Sequence, residues 1–349
     1  MMLKIAKERL NELYAQINEK MGLFIPVKRA GEVNYKVWKS GDEVSLETLK
    51  TVKSPKNMFF PQTENMMKFK TEGKNIEIVD VREKMNERME ERPFVLFGVK
   101  ACDYKAIEVL DKVFLAEPID TYYQARRNAT TIVTLACSKP EESCFCKAFG
   151  IDATAPQGDV TTWLDEGYLY WQANTEKGET LTAIVKDLLA EGGEAEVEAQ
   201  QAATKAVVDN LPFSNLDLSA FKPENLNELF NASEWEEMSE ACLGCGTCTF
   251  VCPTCQCFDI RDFKTHEGVL RYRCWDSCMY SDFTLMAHGN SRTTQMQRFR
   301  QRFMHKLVYY PSQNDGLYSC VGCGRCVNKC PQKLNIVKVI KKLGGKKND

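Results

Sequence analysis

The apolar positions of this chain change period several times, and each change predicts a different element. From residue 2 to 20, Leu3, Ala6, Leu10, Leu13, Ala15 and Ile17 recur among charges at near-helical spacing, predicting an amphipathic helix. From Leu23 to Phe69 the pattern breaks at Pro26, Gly31, Gly41, Pro55 and Pro61, so short strands and loops are expected. Phe94-Val95-Leu96-Phe97-Gly98-Val99 and Thr130-Thr131-Ile132-Val133-Thr134-Leu135 read as buried strands. Between them Ala106, Ile107, Val109, Leu110 and Val113 keep helical spacing from Asp103 to Phe114. Strand, helix, strand predicts a right-handed crossover between two parallel strands.

Residues 177–230 mix acidic helical patterning with breaks at Gly192-Gly193 and Pro212, which reads as helix plus linker. Helices are expected over Glu224–Ala241 and over Met286–Tyr309, the latter rich in Arg and Gln. The fold class expected is α+β or α/β with a short parallel sheet over residues 1–222, followed by a mostly α-helical domain over 223–349.

The cysteines decide the chemistry. Cys242, Cys245, Cys248 and Cys252-Pro253 form one run; Cys320, Cys323, Cys326 and Cys330-Pro331 form another. Each reads C-x2-C-x2-C-x3-C-P, the spacing by which bacterial-type ferredoxins hold 4Fe–4S clusters. Three thiolates three residues apart converge on one face of a cubane, and the proline-flanked fourth ligates the other cluster in two-cluster proteins. The expected ligand sets are therefore Cys242, Cys245, Cys248 and Cys330, and Cys320, Cys323, Cys326 and Cys252. Zinc sites usually separate two C-x2-C pairs by a longer spacer, and no secretory signal argues for disulfides. The two runs are separated by 67 residues, 253 to 319, so this is no compact ferredoxin repeat.

Four more cysteines, Cys102, Cys137, Cys144 and Cys146, belong to the N-terminal region. Cys102 lies just past the first buried strand and Cys137 just past the second, at the carboxyl edge where α/β sheets place ligands. These four make a candidate third 4Fe–4S site; the alternative is buried free cysteines packing as small hydrophobes. Cys255, Cys257, Cys274 and Cys278 are read mainly as apolar neighbours of the clusters, with a further metal site or a substitute ligand left open. His266, His288 and His305 show no ligand spacing. No G-x-S-x-G, Walker A or H-E-x-x-H motif appears, and no flavin or nicotinamide site is found.

Composition adds two points. A chain of 349 residues with 44% hydrophobic and 27% charged residues is ordinary for a soluble globular protein. It begins without a signal-like apolar core and holds no apolar stretch long enough to span a bilayer, so a cytoplasmic location is expected. The net charge of −2 hides a basic C-terminal region: residues 291–349 carry thirteen Lys or Arg against Asp315 and Asp349. With no nucleic-acid motif beside them, these cations are read as offsetting anionic clusters or docking an acidic partner.

Taken together, these motifs resemble a known family, the β subunits of cytoplasmic sulfhydrogenases and the A subunits of anaerobic sulfite reductases. The matching residues are Gly98-Val99-Lys100-Ala101-Cys102-Asp103, Asp120-Thr121-Tyr122-Tyr123-Gln124-Ala125-Arg126-Arg127 and Cys144-Phe145-Cys146. They continue with Cys242 to Cys255, Trp275-Asp276-Ser277-Cys278 and Arg302-Phe303-Met304-His305-Lys306, so the likeness covers most of residues 90–335, and the N-terminal ninety residues match only loosely. It implies an electron-transfer subunit between a flavin subunit exchanging electrons with NAD(P)H and a catalytic subunit of hydrogenase or sulfite reductase type. An iron–sulfur reductase binding its own flavin or small substrate near Cys102 and Cys137 is the alternative. A DNA-linked iron–sulfur protein is a third.

Overall fold

The computed structural model is described over residues 1–344, so residues 345–349, the end of the basic region, lie outside it. The strands follow in chain order: β1 (Leu3–Ala6), β2 (Gly22–Arg29), β3 (Glu32–Val37), β4 (Thr63–Glu72), β5 (Asn75–Asp80), β6 (Phe94–Val99) and β7 (Thr130–Leu135). Then come β8 (Val160–Leu164), β9 (Tyr168–Ala173), β10 (Ala190–Glu191), β11 (Phe258–Thr265), β12 (Gly268–Trp275), β13 (Leu285–Met286) and β14 (Gly289–Asn290).

An eight-stranded sheet of order β10-β1-β9-β8-β7-β6-β2-β3 forms the N-terminal core. Its centre, β2-β6-β7-β8, is parallel, and its flanks are antiparallel. Every residue of β6 and β7 is buried, as continuous apolar runs covered on both faces require. The helix Ala101–Phe114 makes the crossover between them. Gly98, at φ +82°, sits in a register shift of β6, where an added Cβ would press on Leu46 and Pro26.

The first helix begins only at Leu10, because Leu3–Ala6 pairs on both sides, with β9 and β10. Four residues with only Ile5 fully buried look alike in a helical or a strand reading, and pairing decides between them. The helix expected over Glu224–Ala241 is divided into Leu226–Phe230 and Glu234–Ser239. That expected over Met286–Tyr309 starts at Gln295, on a Thr294–Gln297 capping box, and passes through a π turn at His305–Tyr309.

The larger departure from a mostly helical C-terminal region is the hairpin β11–β12 between the two cysteine runs. It joins β4 and β5 in a four-stranded antiparallel sheet of order β11-β12-β4-β5. Strands from both sides of position 222 thus share one sheet. Arg273 of β12 is its anchor: fully buried, it pairs with Glu64 of β4 and with Asp120, whose carboxylate also caps the helix Thr121–Asn128. Arg126 from that helix completes the network on Glu64. The conspicuous Asp120-to-Arg127 segment therefore works as a structural clamp. A second core, built on Trp235, Phe299, Phe303, Leu307, Ile336 and Ile340, carries the cysteine loops.

Candidate metal centres

The two cysteine runs fold alike. In Cys242–Gly246, Gly244 and Gly246 adopt φ of +63° and +70°; in Cys320–Gly324, Gly322 and Gly324 adopt +59° and +75°. Left-handed backbone at alternate positions winds each loop inward before a short helix starts, Thr247–Phe250 in one case and Arg325–Lys329 in the other.

Cys242, Cys245, Cys248 and Cys330 line one cavity with Met279, Phe299 and Phe303. Three thiols of the first run thus meet the last thiol of the second. Donors reach two of these sulfurs: Gln295 Nε2 lies 3.5 Å from Cys242 Sγ, and the Leu334 N–H donates to Cys330 Sγ at 3.3 Å. The hydrogen bond between Cys245 Sγ and Thr247, 3.4 Å, draws the Cys245 thiol below its ordinary pKa. Burial pushes Cys248 up to about 11, opposed by Arg302.

The reciprocal set is gathered through Thr254. Its Oγ1 contacts Cys252 Sγ at 3.2 Å and donates to the carbonyl of Ser319 at 2.7 Å, which brings the end of the first run against Cys320. Lys306 Nζ closes the arrangement, donating to Thr254 Oγ1 at 2.8 Å and to the Ser319 carbonyl at 3.0 Å. Cys252 and Cys326 are charge neighbours of both Cys320 and Cys323. Burial raises both thiols, Cys323 to about 12.

The N-terminal cysteines also converge. Cys137 and Cys146 share one buried cluster with Cys102 packed against it, and Cys144 is a charge neighbour of both. This set adjoins the second run directly. The Phe145 N–H donates to the Gly322 carbonyl at 2.9 Å, and Cys102 and Cys323 both border Val321. A Cβ on Gly322 would lie 2.4 Å from the Phe145 backbone, and one on Gly324 would lie 2.3 Å from the Ser143 carbonyl. The two loops touch backbone to backbone.

Four further cysteines lie beyond these sets. The thiols of Cys257 and Cys278 are hydrogen-bonded, as are those of Cys255 and Cys252. Cys274 stands apart on β12 beside Asp259 and Arg261. Cys274 is in a strand, so it and Cys278, four residues on, do not share a helix face. His266 and His288 are exposed, and His305 packs in the π turn.

Sequence reasoning missed the buried cations. Lys56, Lys306 and Arg302 are each at most 3% exposed and make no salt bridge among the described residues. Lys56 donates to the Cys255 carbonyl and lies 3.9 Å from the Trp275 ring centroid. Burial opposes the charge on Lys306, yet the thiols of Cys252, Cys255 and Cys320 hold its pKa above the ordinary value. Lys100, buried behind β6, has its pKa lowered by burial instead, which Cys137, Cys102 and Asp103 only partly offset. Buried cations need compensating negative charge, and around Lys306 and Arg302 the neighbours able to supply it are thiolates. Only the helical i, i+4 spacing of Arg302 and Lys306, flanking Phe303, hinted at this in the sequence.

The chemistry of this donor set suits iron–sulfur ligation: thiols ringing a cavity, N–H donors to sulfur, and Lys306, Arg302 and Lys56 buried without a described carboxylate in salt-bridge contact. Among the described residues no three His, Cys, Asp or Glu side chains are placed to share one metal ion. A family model described as a 4Fe-4S dicluster domain matches residues 241–334, which contain both runs. The protein is thus an iron–sulfur electron-transfer protein with a dicluster domain. The chain is 33% identical over 345 residues to sulfhydrogenase 2 subunit beta of Pyrococcus furiosus, covering 97% of this chain and 96% of that protein. It belongs to the sulfhydrogenase β-subunit family. Among the described residues no helix is long and apolar enough to cross a membrane.

Proposed function

We propose that this chain is a cytoplasmic relay of single electrons between a flavin subunit that exchanges electrons with NAD(P)H and a catalytic subunit of hydrogenase or sulfite reductase type. Cys242, Cys245, Cys248 and Cys330 hold one 4Fe–4S cluster, and Cys320, Cys323, Cys326 and Cys252 hold a second. Cys102, Cys137, Cys144 and Cys146 hold a third. Residues 1–222 carry the third site and residues 223–349 the dicluster runs, the two parts joined through the sheet β11-β12-β4-β5.

The observation that carries this reading is contiguity. The N-terminal set touches the second run through Gly322 and Phe145, and the second run shares Cys252 and Cys330 with the first. Each cluster supplies one-electron storage. The protein's part is to fix the thiolates, donate hydrogen bonds to sulfur and balance charge with Lys306, Arg302, Lys56 and Lys100, the levers that set potential.

Replacing Cys245 or Cys323 by Ser in the assembled complex should abolish electron flow from pyridine nucleotide while the catalytic subunit keeps its activity with an artificial donor. Loss of that second activity too would refute the relay role. Iron in the anaerobically purified chain should approach about twelve atoms, three clusters of four; about eight would remove the third site.

A further inference from the structure

Of the sixteen cysteines, Cys245 is the one that is exposed; the others are buried or half-buried. Leu243, beside it on the same cavity, is 64% exposed. The segment leaving and re-entering this region, residues 281–294, is fixed at both ends on the cysteine loop. At one end Tyr280 reaches the Cys245 carbonyl and lies over Gly246; at the other Gln295 meets Gly244 and Cys242. At its tip, β13 presents Leu285 and Met286, 61% and 64% exposed.

The opposite rim of the cavity is Cys330-Pro331-Gln332, flanked by Lys329 and Lys333. Both lysines are exposed, and neither forms a salt bridge among the described residues. Across residues 240–252, 281–294 and 328–335, Lys329, Lys333 and Arg292 stand against two acids, Glu240 and Asp282. Exposed apolar side chains on the cysteine loop and on the segment tied to it, with two unpaired cations beside Cys330, thus accompany the place where the cysteine set comes to the surface. Isolated exposed apolar residues mean little, but a group gathered at one functional edge marks an interaction site.

Resting on the ligand set proposed for the first cluster, we propose that Leu243, Cys245, Leu285 and Met286 with Lys329 and Lys333 form the docking face of a redox partner. That partner presents an apolar patch edged by carboxylates around its own electron-transfer centre. The charge pattern selects the partner and speeds encounter, and the apolar side chains bring the two redox groups close.

The test uses the full iron-loaded chain, reduced anaerobically, with two oxidised probes: acidic plastocyanin and basic cytochrome c. One electron leaves the chain and reduces cupric to cuprous copper, or ferric to ferrous haem, with no proton moved. The double variant Lys329→Glu/Lys333→Glu should slow reduction of plastocyanin about tenfold at low ionic strength and speed that of cytochrome c. Added salt should shrink both effects. Lys36→Glu/Lys186→Glu, an equal charge change on exposed residues elsewhere, should leave both rates unchanged. An unchanged plastocyanin rate, or an equal effect from the second double variant, overturns the proposal. So does a change in iron content or EPR spectrum in the first, which would make these lysines supports of the cluster. A dimer converted to monomer by Leu243→Asp would assign the face to a second copy of this chain and overturn it too. The ligand set is judged separately, by whether Cys245→Ser removes one cluster signal.

Discussion

Arg325 and Asp103 form a bidentate, fully buried ion pair, with NH1 and NH2 at 2.6 and 2.7 Å from the two carboxylate oxygens. Arg325 lies between Cys323 and Cys326; Asp103 follows Cys102. One side-chain pair therefore locks the second cysteine run to the N-terminal site. Asp103→Ala leaves a guanidinium buried without its carboxylate and should cost about 3–5 kcal/mol in unfolding free energy. Arg325→Lys loses the two-point contact and should fall between that variant and the native chain. The double variant Arg325→Met/Asp103→Leu should recover much of the loss in anaerobic denaturant titrations. If it is as unstable as Asp103→Ala alone, the pair does more than balance charge.

The crossed ligand sets predict which variants resemble one another. Cys330→Ser should remove the same EPR signal as Cys242→Ser, and Cys252→Ser the same signal as Cys320→Ser. Each variant should lose about four irons per chain. If Cys330→Ser instead matches Cys320→Ser, each run closes its own cluster.

Gly322→Ala places a Cβ 2.4 Å from the Phe145 backbone, where no flexible side chain can yield. It should separate the two loops, destabilise the chain by about 1–3 kcal/mol and lower iron toward about eight per chain. Gly246→Ala makes a comparable approach only to the Tyr280 ring, which can turn away, and should be milder. Iron analysis and melting curves of the two variants, taken together, check the contrast.

His305 is held neutral down to about pH 4 by burial, with Lys306 and Arg292 adding to the effect. In the unfolded chain it protonates near 6.5. Its depressed folded value means that the stability it contributes is complete above pH 6.5 and is lost as pH falls toward 4. The full loss is about 3 kcal/mol at most. His305→Gln, which has no proton to gain, should show a flatter fall in melting temperature over that window. Parallel curves for both proteins would remove His305 from the acid response.

The sequence displays the cluster runs and the parallel β6–β7 pair because both are local signals: fixed spacing in one case, unbroken apolar stretches in the other. It hides β1, since four residues gain strand character only by pairing with β9 and β10. It hides the β11–β12 hairpin because Asp259, Arg261, Asp262, Lys264 and Arg271 make those strands look like surface, and their partner β4 lies about two hundred residues away. Lys56 and Lys306 are illegible for a related reason. A lysine is read as exposed, and only the thiols around it account for its burial.

The sheet shared by β4–β5 and β11–β12 has a practical consequence. A recombinant fragment beginning at residue 223 would keep both cysteine runs but lose β4, the strand that pairs with the outer edge of β12. Its Arg273 would lose Glu64 and Asp120, and the bared strand edge would invite self-association. The iron-binding part of this molecule is therefore poorly suited to excision as a free-standing ferredoxin. It has become a graft whose stock cannot be cut away.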